Sequence, residues 1–358
     1  MERISVLMAV DDHFVAPLLT TVASLFETLR PDVRVDLHVM ECALQPEARG
    51  RIVNALGESV RLRWTAVDER KAAALCRTGR PVSSYRTLAG SSLPSDVRKV
   101  IYLDADLLVR RDIFELWERD MRGNIVLAVQ DSFIQRPAGW LEGATSERPY
   151  FNSGVMMMDL DAWRASAVEQ RCLEAATRFA HPTRWHDQDV LNLCLAGRWG
   201  ELEPVWNKQF SLDLFPDWRC SPYPERDFHE ARANPAIIHF CSRAKPWHSF
   251  CDHRPEDVLA YRDLLLRIAP WTHENAKPSP ARRTLEWFAA PHRRVLDKTA
   301  AACRARRRTH ALRAMFPEVA RLVICHPWTG LSVPLSVICE RTASWFGGLL
   351  RRHRRMLA

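Results

Sequence analysis

Short apolar runs alternate with amphipathic segments at the start of this chain, and this alternation constrains the fold more than any other feature of the sequence. Ser5–Val10 is apolar, Val15–Leu29 repeats leucine and valine at spacings of three and four, and Val33–Met40 alternates apolar with polar residues. Spacings of three and four are typical of a helix, and strict alternation is typical of a strand. The β-α-β-α order predicts an α/β fold with a mostly parallel central sheet and helices on both faces.

The same two patterns continue for another 200 residues or so. We predict further strands at Val60–Thr65, Lys99–Leu103, Ile125–Val129, Val155–Met158 and Ala236–Phe240. We predict helices at Arg49–Leu56, Ile113–Glu118, His186–Ala196 and, as one long helix, Asp161–Phe179. A chain of 358 residues is long enough for one large α/β domain or two smaller ones.

Charge divides the chain into two parts. The net charge of the whole is +8, but the residues from Asn275 onward hold 17 lysines and arginines against 4 acids, whereas the first 274 hold 34 against 39. We place the boundary at the polar, proline-containing stretch Thr272–Pro280. The prediction is a domain of residues 1–271 followed by a basic, aromatic-containing and helical region of residues 272–358.

Compartment is indicated by the cysteines and by the apolar runs. The 10 cysteines are scattered without a CxxC pair, which is typical of free thiols in a reducing compartment. The start of the chain, MERISVLMAVDDHF, has no basic flank before a long apolar stretch, so we expect no signal peptide. No apolar run reaches the roughly 18 residues that a membrane-spanning helix needs. We therefore predict a cytoplasmic location.

Acidic clusters follow two of the predicted strands. Asp11-Asp12-His13 comes after the first, and Asp104-Ala105-Asp106 comes after Lys99–Leu103. Open α/β sheets bind ligands at the carboxyl ends of their strands, and two aspartates separated by one small residue can both face one hard cation. Carboxylates after a strand also cap turns, and an isolated Asp-x-Asp is a short and common pattern.

Five segments that follow one another along the chain favour a cation site over simple turn caps. They are VLMAVDDHF, SSYRTLAGSSLPSDVRKVIYLDADLLV, YFNSGVMMMDLDAW, HDQDVLN and IIHFCSRAKPWH, spread over residues 4 to 250. Together they resemble glycosyltransferase family 8, which includes glycogenin and bacterial lipooligosaccharide galactosyltransferases. The resemblance implies a GT-A type nucleotide-sugar-binding sandwich, a retaining hexosyltransferase activity, a UDP-sugar donor and a divalent cation.

The resemblance also implies a metal centre. Asp104, Asp106 and His239 match the metal ligands of the family, and Lys245 matches a lysine that meets the diphosphate of the donor. An imidazole beside two carboxylates suits Mn²⁺ better than Ca²⁺, with Mg²⁺ as the alternative. Read alone, a histidine at the end of an apolar strand is more often a structural residue than a ligand.

The remaining site positions follow from the same match. The match implies that Ala9, Asp11 and His13 bind the uracil and ribose of the donor. His13 stands where relatives often have an asparagine. Arg86, Ala105 and Ser242 would lie beside the diphosphate or the sugar, with Ser242 in place of a frequent glycine. The sugar end comprises Asn152, Ser153, Asp187, Gln188 and Asp131. Read without the family, Asp131 can equally cap a turn, and 186–189 can equally be the acidic first turn of a helix.

Retention of configuration needs either a covalent glycosyl-enzyme or attack on the same face as the departing group. Gln188 is a poor nucleophile because its amide oxygen is neutral, and Asp189 is the better candidate for a covalent path. We favour same-face attack, with Gln188 shielding positive charge on the sugar. Asp131, Gln188 and Asp189 are the catalytic candidates.

The basic tail suggests a membrane surface. Arginine clusters at 304–308 and 351–355 are interleaved with tryptophan, phenylalanine and leucine, a composition that suits an anionic leaflet. A solvated tail is the alternative, and nucleic acid ranks last because no nucleic-acid fold signature accompanies the arginines. A peripheral attachment would suit a glycan or lipid-linked saccharide as acceptor, with UDP-glucose or UDP-galactose as donor.

The sequence can also be compared with two other classes of function. A dinucleotide-dependent oxidoreductase needs a glycine-rich turn after the first strand, and Val10-Asp11-Asp12-His13 has none. A catalytically silent nucleotide-sugar-binding or scaffold protein on the same fold would be indicated by loss of Asp104, Asp106 or His239, and all three are present.

Overall fold

A seven-stranded mixed sheet forms the centre of the protein. Its strands are β1 (Glu2–Val10), β2 (Val33–Glu41), β3 (Arg61–Ala66), β4 (Lys99–Leu103), β6 (Val126–Gln130), β7 (Phe151–Asp159) and β8 (Trp199–Glu201). A smaller sheet comprises β5 (Leu107–Val109), β9 (Lys208–Gln209) and β10 (Ile237–His239). The structure is a computed structural model, and it describes residues 2–41, 44–57, 60–75, 81–134, 149–178, 187–242, 244–248 and 251–275.

The large sheet has the strand order β3-β2-β1-β4-β7-β6-β8. β1 pairs in parallel with β2 and β4, whereas β7 runs antiparallel to both β4 and β6. The sheet is therefore mostly parallel, as predicted, with one reversed strand inserted beside β4. This insertion brings the start of β7 next to the carboxyl end of β4, where acidic residues follow the strand.

Helices cover the sheet and account for most of the remaining described chain. They are α1 (Val15–Thr28), α2 (Pro46–Leu56), α3 (Glu69–Leu75), α4 (Ala89–Ser92), α5 (Phe114–Trp117), α6 (Leu160–Ala165), α7 (Val168–Arg178), α8 (Asp187–Cys194), α9 (Ser211–Leu214), α10 (Glu225–Ala233) and α11 (Pro255–Ile268). Short 3-10 helices lie at Pro81–Leu88, Pro204–Asn207, Trp218–Cys220 and Pro270–Asn275. Within the described ranges, no helix has the length and apolar composition that crossing a bilayer requires.

One cluster of buried side chains lies between the sheet and helices α3, α4 and α6 to α8. Tyr102 from β4, Met156 from β7 and Trp163 from α6 all belong to it, each at most 1% exposed. A second cluster holds α11 against β10 through Phe240, Tyr261 and their neighbours. Burial of this much apolar surface is the main stabilising contribution to such a domain.

The long helix predicted over Asp161–Phe179 is wrong. The structure has two helices, α6 and α7, and Ala167 between them has a φ of 48°. The left-handed residue ends α6 and lets the chain restart with Val168, whose side chain is completely buried. The sequence has no glycine or proline at this point to signal the break, which tertiary packing of Val168 imposes against local preference.

The structure describes only the beginning of the predicted boundary region. The sequence places the domain boundary at Thr272–Pro280, but the first residues of this stretch belong to the 3-10 helix Pro270–Asn275. Trp271 in the same helix packs against the cluster around α11. The tail, with its predicted helical character, lies outside the described residues, and the boundary at 271/272 stays a prediction.

Candidate active site

Asp104 and Asp106 lie in a tight turn between β4 and β5. The backbone N–H of Asp104 donates to the carbonyl of Gly154 on β7, at 2.8 Å. On the other side the Thr21 hydroxyl of α1 donates to the carbonyl of Ala105, at 2.9 Å, and accepts from the N–H of Leu107, at 3.1 Å. Both flanks of the turn are therefore held by hydrogen bonds to elements packed beside it.

His239 comes to the same turn from the end of β10. Because β10 pairs antiparallel with β5, with His239 opposite Leu107, the imidazole lies beside the two carboxylates. Its Nε2 is 3.4 Å from Asp106 Oδ1 and 3.6 Å from Asp104 Oδ2. One ligand atom from each of the three residues lies within 4.8 Å of the others.

Gly154 has no side chain, and His239 and Asp104 occupy the space that a Cβ there would need. A Cβ at this position would lie 2.2 Å from His239 Cε1 and 2.8 Å from Asp104 Oδ2. Ligands that share an octahedral cation at about 2.1 Å lie about 3 Å apart, so the observed separations require little adjustment. Two carboxylates and an imidazole therefore fit a divalent cation such as Mn²⁺ or Mg²⁺.

Two cationic side chains flank the acidic turn. Lys245 Nζ lies 2.5 Å from Asp106 Oδ2 and donates to the carbonyl of Phe240, at 2.7 Å. Burial alone would raise the pKa of Asp106, but the charges and hydrogen bonds of Lys245 and His239 together outweigh burial and hold that pKa well below its ordinary value. Asp106 is therefore ionised at any pH at which the protein would work.

Arg86 is the second flanking cation and joins the acidic turn to α8. Its guanidinium lies 3.0 Å from Asp104 Oδ1 and 3.0 Å from Asp187 Oδ2, and stacks 4.6 Å from the ring centroid of Tyr102. Nη1 also donates to the carbonyl of Ser153, at 2.6 Å. Arg86 is 5% exposed, so these contacts define one position for it.

Asp187 keeps a buried oxygen that accepts no hydrogen bond. Arg86 Nε is close to Asp187 Oδ2, but its hydrogen goes to the carbonyl of Ser83, at 2.8 Å. Within the described part of the chain, Asp187 Oδ2 has no hydrogen-bond donor. Burial raises the pKa of Asp187 to about 6, Arg86 opposes the rise and Asp104 adds to it. A carboxylate oxygen in this state can accept a hydroxyl of a bound ligand.

The remaining sugar-end residues form one hydrogen-bond network around Asp131. Asp131 Oδ2 accepts from Asn152 Nδ2, at 3.1 Å, and from Gln188 Nε2, at 3.2 Å. Its Oδ1 accepts from the N–H groups of Phe133 and Ile134. The amide oxygen of Gln188 accepts from the N–H of Ser153, at 3.0 Å. Asp131 thus caps a turn and orients two amides at the same time.

The sequence of this chain matches that of a known protein family. The sequence model described as Glycosyl transferase family 8 matches residues 5–251. The chain belongs to this glycosyltransferase family. All the contacts described above lie inside the matched region.

Curated relatives agree with the family assignment of the transferase. General stress protein A of Bacillus subtilis is 28% identical over 288 residues, which is 78% of this chain and 98% of that protein. Glycosyltransferase GlyF of Streptococcus pneumoniae is 26% identical and covers 73% of this chain, and the match spans 62% of its length. Lipopolysaccharide 1,2-glucosyltransferase of Escherichia coli is 23% identical over 57% of this chain and 58% of its own length.

Solved structures show the same fold. The galactosyltransferase LgtC, crystallised with donor and acceptor sugar analogs, superimposes with a TM-score of 0.66 at 22% identity, covering 78% of this chain and 99% of LgtC. Glycosyltransferase GlyE of Streptococcus pneumoniae gives a TM-score of 0.54 at 20% identity, over 78% of this chain and 66% of GlyE. The predicted GT-A architecture of the transferase is confirmed.

The structure does not join every predicted site residue to this cluster. Asp189 is 1% exposed and accepts from the hydroxyl of Tyr150, at 2.7 Å, in the interior. Ser242 Oγ donates to the carbonyl of Ala244 and to Asp252 within its own loop. Roles for these residues stay predictions.

The residues predicted to bind the nucleoside lie at the end of the neighbouring strand. Ala9 is in β1, and Asp11 and His13 follow it in a turn where the N–H of His13 donates to Asp11 Oδ1, at 3.0 Å. β1 pairs with β4, so this turn is at the same edge of the sheet as Asp104. Most of Ser132–Arg148, between β6 and β7, lies outside the described residues.

Sequence reasoning missed two residues that contact the candidate metal-binding side chains. Tyr102 donates its hydroxyl to Asp104 Oδ1, at 2.8 Å. Asn207 Oδ1 lies 3.0 Å from His239 Nδ1. A polar Asn207 next to Val205-Trp206 was a weak signal of a buried amide with a partner, but the sequence could not say which partner.

Proposed function

We propose that this transferase moves a hexose, glucose or galactose, from its UDP-sugar to a glycan or lipid-linked saccharide, with retention of configuration and with a divalent cation. The observation that carries the proposal is that Asp104, Asp106 and His239 converge beside Gly154, where the Asp104 and His239 side chains fill the space that a Cβ would need. Lys245 and Arg86 flank that space. A dianionic nucleotide diphosphate needs this combination of cation ligands and fixed positive charge.

Each group of residues around the site has its own role in the proposed reaction. Asp104, Asp106 and His239 would hold Mn²⁺ or Mg²⁺, which when bound neutralises charge on the departing diphosphate. Lys245 adds a point charge on the same side. Ala9, Asp11 and His13 would receive the uracil and ribose, because they follow the strand next to β4. Ala105 and Ser242 remain our candidates for contacts to the donor.

The sugar end supports same-face attack rather than a covalent path. Gln188 has its amide held by Ser153 and Asp131, so its oxygen has one fixed orientation near the sugar. Asp189 is buried against Tyr150, which does not favour it as a nucleophile. Asn152, Ser153 and Asp187 supply acceptors and donors to sugar hydroxyls.

Similar proteins support the proposed donor, and the basic tail supports the proposed acceptor. Two similar proteins are named as a lipopolysaccharide glucosyltransferase and a galactosyltransferase, which favours a neutral hexose donor. The basic tail favours an anionic membrane surface, where a lipid-linked acceptor would be presented. A cytoplasmic location belongs to the same proposal, because Cys172, Cys194, Cys220, Cys241 and Cys251 are free thiols.

The test is release of UDP from a panel of nucleotide sugars, with Mn²⁺, with Mg²⁺ and with EDTA. We expect turnover of one UDP-hexose that EDTA abolishes, and a product whose anomeric configuration by NMR equals that of the donor. Asp106→Asn is the matched variant, since it keeps the shape and removes one ligand charge. If no donor turns over and metal does not alter UDP binding, the protein is a catalytically silent member of the fold.

A further inference from the structure

Asn207 is a completely buried amide on the far side of the His239 ring from the carboxylates. It is 0% exposed and ends the 3-10 helix Pro204–Asn207. Its Oδ1 lies 3.0 Å from His239 Nδ1, and its Nδ2 donates to Asn152 Oδ1, at 2.9 Å. Because Nε2 of the ring faces Asp104 and Asp106, Asn207 contacts the other ring nitrogen.

The orientations of both amides follow from groups whose hydrogen-bonding roles are fixed. The backbone N–H of Gly154 can only donate, and it points to Asn152 Oδ1, at 3.0 Å. An ionised Asp131 can only accept, and it faces Asn152 Nδ2, at 3.1 Å. Asn152 therefore presents its oxygen to Asn207. Asn207 must then present its NH₂ group to Asn152 and its oxygen to His239.

An amide oxygen only accepts, so the ring nitrogen that faces it must carry a hydrogen. In a neutral imidazole the lone pair is then on Nε2, the atom that faces the carboxylates. We propose that Asn207 is a positioning residue that holds His239 in the Nδ1–H tautomer, with Nε2 free to bind a divalent cation. This inference rests on the metal site of the proposed function.

The backbone that carries Asn207 is itself anchored to the strand of His239. The N–H of Ala236 donates to the carbonyl of Val205, at 2.8 Å, and the next residue, Lys208, pairs with Ile238. The ammonium of Lys208 is buried between Asp213, at 2.8 Å, and Asp257, at 2.9 Å. Asn207 is therefore supported on both sides, as an outer partner of a metal ligand should be.

The first test is Asn207→Leu, which is close in volume and lacks both hydrogen bonds. We expect its affinity for Mn²⁺, measured by the loss of the free-ion EPR signal, to fall on the order of 10–100-fold. Asn207→Asp restores an acceptor opposite Nδ1 and should bind Mn²⁺ more tightly than Asn207→Leu. Asn192→Leu is the matched control: Asn192 is also 0% exposed, but its amide bonds to Phe151 and to the carbonyl of Gln188. It should keep the Mn²⁺ affinity of the wild type.

The second test reads the tautomer directly. In ¹⁵N-histidine-labelled wild-type protein, at a pH where the ring is neutral, His239 should carry its hydrogen on Nδ1, and in Asn207→Leu it should shift toward the Nε2–H form. A wild-type His239 in the Nε2–H form would overturn the inference, even where Asn207→Leu does not fold. Wild-type Mn²⁺ affinity in a folded Asn207→Leu would also overturn it. Absence of Mn²⁺ binding by the wild type would instead overturn the metal site itself, and would be seen before any variant is made.

Discussion

At the scale of single residues, two positions in the site are defined by what surrounds them rather than by their own chemistry. Gly154 has no side chain because His239 and Asp104 occupy the space that a Cβ would need. Asp187 has an ordinary carboxyl group, but burial changes the pH at which it ionises. Each gives a prediction.

Substitution of Gly154 by alanine should displace a metal ligand. The new Cβ would lie 2.2 Å from His239 Cε1, so the imidazole must move. We expect the affinity for Mn²⁺ to fall on the order of 10–100-fold, and turnover with it, while the far-UV circular dichroism is kept. Gly50→Ala is the control, because Gly50 lies in α2 with nothing within 4 Å of the added methyl group. That variant should keep wild-type turnover and gain about 0.5–1 kcal/mol of stability. Equal metal binding by Gly154→Ala and wild type would contradict the prediction.

Donor use should fall as the pH drops below about 6, the pKa to which burial raises Asp187. Protonation removes the charge that faces Arg86 and one acceptor for a sugar hydroxyl. The measurement is the pH profile of kcat/KM for the donor, which reports groups of the free enzyme. Asp187→Asn should have lower activity and lack this step. An unchanged acidic limb in that variant would assign the step to another group.

The raised pKa of Asp187 affects stability in the direction opposite to its effect on activity. The folded-state pKa of Asp187 lies above the unfolded value of 3.8, so the folded state retains a proton that the unfolded state has already released. The contribution of this residue to the free energy of unfolding therefore falls as pH rises from about 4 to about 6. Asp187→Asn should be less sensitive to pH than the wild type over this window.

At the scale of elements, α1 supports the acidic turn Asp104–Asp106 by hydrogen bonds from two of its side chains. Two buried hydroxyls of the helix replace strand pairing: Thr21 bonds to Ala105 and Leu107, and Ser24 Oγ accepts from the N–H of Val109. β5 therefore has its other edge on a helix rather than on a strand. The position of the two candidate metal-binding carboxylates, Asp104 and Asp106, depends on this contact between a helix and a turn more than 80 residues away in sequence.

Thr21→Val tests the support given by α1. Valine fills the same volume but leaves the N–H of Leu107 without its acceptor, which should cost about 1–3 kcal/mol of stability. Since the turn is loosened, we also expect weaker Mn²⁺ binding. Thr20→Val is the matched control, because Thr20 is equally buried and its hydroxyl donates to Ala16 in the same helix. Chemical denaturation and Mn²⁺ titration of both variants decide the matter, and equal metal binding by the two would refute a role for α1.

At the scale of the whole molecule, charge separates the chain into an acidic body and a basic tail. An acidic body is repelled by an anionic leaflet, so attachment would have to come from the tail. Basic residues near such a surface contribute about 1 kcal/mol each. The tail should therefore determine membrane affinity without taking part in the chemistry.

Replacement of Arg351, Arg352, Arg354 and Arg355 by glutamine should weaken binding to anionic vesicles by up to about a thousandfold. Co-sedimentation with vesicles of anionic and of neutral lipid measures this, and release of UDP from the donor should stay as in the wild type. Deletion of residues 276–358 should release the protein from anionic vesicles completely. Undiminished binding after that deletion would place the membrane contact, if any, on the body.

The sequence by itself determined the periodic elements and the ligand types. Strands at Lys99–Leu103 and Val33–Met40 were predictable because apolar periodicity is a local property, and the Asp104-Ala105-Asp106 cluster follows directly from the first of them. Order and spacing of five motifs were sufficient to indicate the family. The prediction of one long helix is wrong at Ala167, where the chain breaks so that Val168 can be buried. No local sequence pattern indicates this break.

Only the tertiary structure decided which distant groups meet. The reversed strand β7 brings Gly154 to Asp104, and pairing of β10 with β5 brings His239 to the same turn. Burial, which depends on every neighbour at once, raised the pKa of Asp187 and left Asp189 in the interior. The contact of Asn207 with His239 joins residues 32 apart in sequence, and such contacts follow from strand pairing, which a single sequence does not encode locally.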